Sequence, residues 1–222
     1  MKKIFALVVI GIAVLACKSD KKEIEVTETL ELTIAEKIAN RYGLENWNNV
    51  NTIKFTFNVD RDSSHFQRSW EWHPKTNDVV LNSKTDTLRY NRKNIDSTII
   101  NADKAFINDK YWLLTPFNLV WDSGTTMSEP TKEKSPLSNK ELNKITLTYS
   151  NEGGYTPGDA YDFYYNDGFV IEEWIYRKAN APEPTMMTTW EDNQELNGIV
   201  IPMSYKKTSD NWELYFTDVK VE

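Results

Sequence analysis

The sequence predicts a mainly β fold, an antiparallel and unclosed half barrel of about ten strands with short helices covering its concave face. The run from Thr52 to Val59 alternates strictly between apolar and polar residues, and similar runs recur as far as residue 221. Such alternation is typical of half-buried strands. No long helical pattern separates the runs, which excludes repeated β-α-β units and favours an antiparallel meander. Asn166-Asp167-Gly168 and Asn197-Gly198 are typical hairpin turns.

The individual elements follow from local patterns. Thr33 and Glu36 form a capping-box pattern before apolar residues at helical spacing, and Gly43 supplies a stop, so we expect a helix near residues 33–42. The apolar segment 101–124 favours a helical turn or two across the open face of the sheet, and Pro116 breaks any helix. The residues that suit this helical pattern are Ala102, Ala105, Phe106, Asp109, Trp112 and Leu113. Residues 125–140 are expected to form a polar loop. The predicted strands are 52–59, 65–72, 79–81, 86–91, 144–149, 161–165, 169–177, 185–190, 199–206 and 212–221.

Composition excludes several classes of protein. The chain has 222 residues, a formal net charge of −7 and 13% aromatic residues. A disordered chain would be poor in aromatics, and a protein that binds nucleic acid by neutralising phosphates would be basic. The single cysteine excludes a disulfide framework and a cysteine-rich metal site.

The N-terminus predicts export and a lipid anchor. Residues 1–16 read as a signal peptide, with two lysines, an uncharged apolar run that is too short to span a bilayer, and a small residue at the end. The run Val14-Leu15-Ala16-Cys17 resembles a bacterial lipobox, which implies lipidation of Cys17 and attachment to a membrane. By resemblance to lipoprotein sorting, Lys18 in place of Asp implies the outer membrane. Residues 17–32 are the lipidated cysteine and a flexible tether, and residues 33–222 form a single β domain.

No motif in the chain predicts catalysis, a metal or a cofactor. His65 and His73 share a strand face, but they would lie about 26 Å apart and cannot hold one ion. There is no nucleophile motif and no phosphate-binding loop. The adjacent carboxylates Glu172-Glu173 and Glu191-Asp192 would face opposite ways within a strand, whereas a glycosidase needs two facing carboxylates. We therefore predict a protein that is not an enzyme.

The aromatic residues are the remaining signal. Most of them suit plain core packing, but a curved sheet of about ten strands has a concave face that its own side chains do not fill. An apolar cleft covered by helices would hold acyl chains or other lipids, and stacking on sugars is the competing use of the same aromatics. The candidate ligand-binding residues are Phe55, Phe57, Arg68, Trp70, Trp72, Trp112, Leu113, Phe117, Trp121, Trp174 and Trp190.

Four segments carry a resemblance to a known family. They are the alternating strand IKFTFNV, the strand and turn WEWHPKTN, the segment from Asn108 to Phe117, and the strand from Gly198 to Met203. Together they resemble the LolA/LolB-like superfamily of lipoprotein carriers, and most closely its outer-membrane lipoprotein members. The resemblance implies an unclosed barrel, helices over its mouth and an apolar cavity for acyl chains. Arg68 is the candidate counterpart of the family's cavity arginine.

These observations lead to one expected function and two alternatives. We expect an outer-membrane lipoprotein that binds a hydrophobic or acyl-bearing ligand in an apolar cavity. The first alternative is an envelope structural protein that has a packed core, binds no small ligand and acts through protein partners. The second is a glycan-binding protein or a hydrolase.

Overall fold

The computed structural model describes residues 31–83, 87–152 and 156–222. The predicted signal peptide, Cys17 and most of the predicted tether lie outside these residues. Leu32–Glu222 forms one compact unit. None of the helices within the described residues has both the length and the apolar character needed to cross a membrane.

The fold is mainly antiparallel β, as predicted. The elements are α1 Ile34–Arg41, β1 Ile53–Arg61, β2 Ser64–His73, β3 Asp78–Asn82, β4 Thr87–Asn91, α2 Ile100–Trp121, β5 Thr125–Met127, β6 Thr131–Lys134, β7 Glu141–Tyr149, β8 Ala160–Tyr165, β9 Ile171–Arg177, β10 Met186–Thr189, β11 Glu191–Leu196, β12 Ile199–Lys206 and β13 Trp212–Val221. One sheet has seven strands in the order β11-β12-β13-β1-β2-β3-β4, and the other has six, in the order β10-β9-β8-β7-β5 with β6 also pairing with β7. Over the described residues the sheets remain an open half barrel.

Helix α1 begins where the sequence predicts. The Thr33 hydroxyl accepts a hydrogen bond from the Glu36 amide, and the Thr33 amide donates to the Glu36 carboxylate, which completes the capping box. After α1, Gly43 adopts a φ of +91°, and a 3₁₀ turn follows. A Cβ on Gly43 would lie 2.0 Å from the Gly198 carbonyl oxygen. This close approach holds α1 against the hairpin of β11 and β12.

Helix α2 differs from the prediction of a helical turn or two. It runs for 22 residues and passes through Pro116, with a kink where Leu114 leaves the helical region at φ −129° and ψ 24°. Proline cannot donate to the carbonyl four residues earlier, which here is that of Trp112. The Tyr205 hydroxyl donates to this carbonyl instead, at 2.5 Å. The break predicted at Pro116 is therefore present as a kink two residues earlier, at Leu114, and the helix continues beyond it to Trp121.

The segment 125–140 also differs from the prediction, because it contains the short strands β5 and β6 rather than only a polar loop. Both pair with the same edge of β7. Their side chains are mostly exposed, so they lack the apolar alternation that marks a strand in sequence. Strand β11 was missed for the same reason, and with these three the described part of the chain has thirteen strands instead of the ten predicted.

One buried apolar cluster draws residues from both helices and both sheets. Register explains how β1 and β2 contribute to it: Phe55 lies opposite Trp70, and Ile53 lies opposite Trp72. Directly opposed residues on neighbouring strands share a face. The inner faces of the sheets therefore present aromatic side chains to α2.

Candidate functional site

Most of the candidate residues meet beneath α2. Trp121 is half-buried at the end of this helix, and Arg68 is half-buried on β2. The remaining candidates are at most 9% exposed: Phe55, Phe57, Trp70, Trp72, Trp112, Leu113, Phe117, Trp174 and Trp190.

Two aromatic side chains of α2, Trp112 and Phe106, contact aromatic rings on the inner faces of the sheets. The Trp112 ring lies 4.5 Å from that of Trp174 and 5.1 Å from that of Tyr205, between centroids. Phe106, one and a half turns earlier, lies 5.4 Å from Trp70 and 5.6 Å from Trp72. Most of these contacts are edge-to-face, an arrangement that aromatic pairs favour. Helix α2 therefore packs on the inner faces of both sheets.

The candidate rings beneath α2 are buried. Two depressions of about 400 and 330 Å³ lie elsewhere, one along β2 beside Arg68 and the other beside Asp60 and Lys207. Apart from Arg68, no candidate residue lines either of them. Since the buried candidates are at most 9% exposed, a ligand would reach them only if the covering side chains or α2 itself were displaced.

An ion pair between Arg68 and Asp109 fastens α2 to β2. The guanidinium donates to both carboxylate oxygens, from Nε to Oδ2 at 2.5 Å and from Nη2 to Oδ1 at 2.6 Å. The Trp70 indole donates to the same Oδ2 at 2.8 Å. Asp109 has no exposed surface. A buried carboxylate needs such partners, because burial without them is costly.

A second ion pair fastens the beginning of α2. Arg92, just after β4, donates from Nε to Asp103 Oδ1 at 2.8 Å, and Asp103 is 1% exposed. Both carboxylates of this helix are thus paired with arginines, one on β2 and one in the turn that follows β4. We call the Arg68–Asp109 and Arg92–Asp103 pairs the two clips.

Five buried polar atoms have no hydrogen-bond partner among the described residues. Three lie on the second sheet and beside it: Trp174 Nε1, Trp190 Nε1 and Thr188 Oγ1. Thr188 lies opposite Trp174 in the ladder, and the rings of Trp174 and Trp190 are 5.9 Å apart. The other two are Trp72 Nε1 and Asn118 Nδ2. A buried polar group without a partner costs about 1–3 kcal/mol. A hydrogen bond from a ligand or a water molecule to any of these groups would therefore be stabilising.

Lys110 lies close to Trp72 and Asn118. Its ammonium is 5.9 Å from the centre of the Trp72 ring, 5.7 Å from that of Trp121 and 3.3 Å from Asn118 Oδ1. Burial penalises the charged ammonium and lowers the pKa of Lys110 to about 8. The charge of Asp122 opposes this shift, while that of Arg92 adds to it.

The lowered pKa of Lys110 predicts a dependence of stability on pH. Between about pH 8 and 10 the unfolded chain holds the proton that the folded chain has lost, so the free energy of unfolding rises with pH. We expect the stability of the wild type to gain on the order of 2 kcal/mol relative to Lys110→Met between pH 7 and pH 10. Urea unfolding of both proteins at each pH measures this difference. A constant difference would contradict the prediction.

The histidines and adjacent carboxylates serve local structure. His65 hydrogen-bonds Asp60, and His73 hydrogen-bonds Glu71, at opposite ends of β2. Buried Glu173 accepts from the Ser135 hydroxyl and from two backbone amides. Within the described residues, no group of three His, Cys, Asp or Glu side chains could hold a metal ion.

Sequence reasoning missed the polar residues of α2. Asp103 and Asp109 were not among the candidates, although they share the helical spacing of Phe106 and Leu113. The predicted helical pattern of residues 102–113 includes Asp109 but not Asp103, and neither carboxylate was assigned a partner. A carboxylate on the apolar face of a helix is the signal of a buried ion pair.

Comparison with known proteins identifies similar folds. No protein-family model matches the chain, and no curated protein sequence matches it. A LolA superfamily protein from Nitrosomonas europaea aligns with 86% of this chain and 94% of its own, at 10% identity and a TM-score of 0.48. A DUF1329 family protein from Desulfovibrio piger aligns with 85% of this chain and 92% of its own, at 6% identity and a TM-score of 0.44.

A third similar structure is a domain from Vibrio parahaemolyticus described as an outer membrane lipoprotein-sorting protein. It aligns with 85% of this chain and 93% of its own, at 8% identity and a TM-score of 0.40.

Proposed function

We propose that this protein binds a hydrophobic, acyl-bearing ligand between α2 and the inner faces of its two sheets, with α2 acting as a lid, and that it performs no catalysis. The ligand-binding surface would be formed by the buried aromatic candidates. We also propose that Cys17 carries the lipid that anchors the protein to the outer membrane, so that binding takes place in the cell envelope.

The observation that carries the proposal is the way in which α2 is held. A helix satisfies its backbone hydrogen bonds internally, so it can leave a sheet without breaking a ladder. Side-chain contacts fasten it to the sheets, namely the two clips and the hydrogen bond from Tyr205 to the Trp112 carbonyl. Beneath it lie large apolar rings, which an acyl chain would cover if the helix moved.

The unpartnered polar atoms on the second sheet support the same proposal. Trp174, Trp190 and Thr188 are each at most 5% exposed. Their indole nitrogens and the Thr188 hydroxyl have no hydrogen-bond partner among the described residues. The ester or carboxyl oxygens of an acyl ligand would accept from the two indoles, which offsets the cost of burying them.

Weakening a clip is expected to increase ligand binding. Asp109→Asn removes the charge that holds Arg68, so the open state becomes more populated and the apparent affinity for a ligand rises. We expect a severalfold gain in affinity for a fluorescent fatty acid, measured by titration of the full chain carrying Cys17→Ser.

The control is a buried ion pair that is separate from the two clips. Asp162 pairs with Arg177 within the six-stranded sheet, and neither residue contacts α2 through this pair. Asp162→Asn should therefore lower stability without raising affinity. Equal gains in both variants would show that general loosening, and not the lid, controls binding.

The alternative of a protein-interaction role is favoured by one observation, the burial of the candidate rings beneath α2. It predicts no uptake of the fatty acid by the wild type or by Asp109→Asn. Stacking on a glycan has no comparable support, because none of the eight tryptophans, all of them described, is exposed.

A further inference from the structure

We propose that Lys110, Trp72 and Asn118 form an oxyanion-binding subsite that takes the carboxylate or phosphate headgroup of the ligand. This inference rests on the proposed function and specifies the ligand as an anionic amphiphile. The subsite would hold the headgroup, while the acyl chain would lie among the rings beneath α2.

The three side chains offer hydrogen-bond donors that lack acceptors. Asn118 is 1% exposed and Trp72 is 7% exposed, and neither Asn118 Nδ2 nor Trp72 Nε1 has a partner among the described residues. Among the described residues, the Lys110 ammonium contacts a neutral amide oxygen and two ring faces. An ammonium, an amide N–H and an indole N–H are all donors, and an oxyanion supplies acceptors for all three.

The nearby charges leave Lys110 available. Among the described residues, no carboxylate lies within 4 Å of its ammonium. Asp122, whose charge raises the pKa of Lys110, accepts a hydrogen bond from the Tyr149 hydroxyl at 2.5 Å. Asp103 is held by Arg92 at 2.8 Å. The local carboxylates are therefore engaged elsewhere, while the ammonium is not.

The subsite lies where the aromatic interior meets the surface. Lys110, Trp47 and Trp121 are all half-buried. Trp47 contacts Trp121 at 4.6 Å and Trp72 at 5.7 Å between ring centroids. Trp72 also contacts Phe106 beneath α2. A headgroup at Lys110 would therefore remain near water while its chain continued inward along apolar rings.

The test compares two ligands that differ only in the headgroup, decanoate and decanol. The full chain carrying Cys17→Ser is titrated with each at pH 7, with calorimetry as the readout. We expect the wild type to bind decanoate at least tenfold more tightly than decanol. In Lys110→Met, which removes the ammonium and keeps an unbranched apolar side chain, this affinity ratio should fall at least tenfold.

Lys104→Met is the matched control, because it removes the same charge from the exposed side of the same helix. It should preserve the wild-type ratio. If decanoate and decanol bind the wild type equally well, or if both variants change the ratio alike, the subsite is overturned while the acyl-binding function stands.

A third arm uses inorganic phosphate alone and follows the indole N–H resonance of Trp72. A shift that is absent in Lys110→Met, accompanied by no binding of decanoate or decanol, would support the oxyanion site with a free ion as its source and overturn the acyl-binding function. No shift together with no binding of either amphiphile would overturn both.

Discussion

Replacing Asp109 with alanine is expected to lower the free energy of unfolding by about 3–5 kcal/mol, because removing one partner of a buried ion pair leaves the other uncompensated. The Arg68 guanidinium would lose both of its carboxylate contacts, and the Trp70 indole would lose its acceptor. Urea unfolding followed by tryptophan fluorescence measures the change.

The control for this prediction is Asp109→Asn, which retains an oxygen that accepts from Arg68 or Trp70 and should cost less than alanine. The two substitutions together separate the charge of the side chain from its role as an acceptor. Equal and small losses would show that the first clip contributes little to stability.

Substituting alanine for Gly43 is the second change with a large expected effect. The added Cβ would lie 2.0 Å from the Gly198 carbonyl oxygen, at a φ of +91° that side chains rarely adopt. Backbone strain alone costs of the order of 1–3 kcal/mol, and the clash with a backbone atom adds to it. We expect a loss of more than about 2 kcal/mol, measured as a lower urea midpoint.

Gly124→Ala is the matched control for Gly43→Ala. Gly124 also has a positive φ, +70°, but its added Cβ would meet only the side chain of Ser150, at 3.2 Å. It therefore carries the strain without the backbone clash. If both substitutions cost the same, the close approach of Gly43 to Gly198 has no energetic importance.

The parts of the fold that depend on local pattern were predictable from sequence. The capping box of Thr33 and Glu36 predicted the start of α1, and the strict alternation of Thr52–Val59 predicted β1. The less regular patterns near 65–72 and 212–221 predicted β2 and β13. Strand β11 was not predictable in this way, because its polar side chains lie at an exposed sheet edge and carry no periodic apolar signal.

The candidate site was predictable in its apolar part only. Alternation placed Trp70 and Trp72 on an inward face, where the structure also has them. The partner of Arg68 is 41 residues away in the chain, at Asp109, and the hydroxyl that replaces the hydrogen bond lost at Pro116 comes from Tyr205 on β12. Such contacts depend on tertiary packing, which local propensity does not encode. Lipidation of Cys17 stays a prediction, since this residue lies outside the described part of the chain.

The kink at Leu114 divides α2 into two helical segments. The first segment carries both clips and, through Trp112, also contacts Trp174 of the six-stranded sheet. The second carries Phe117 and Trp121, which pack on Trp47. Because the two segments are held by different partners, opening of α2 as proposed would divide into two smaller steps, each of which breaks only part of the contacts that cover the interior.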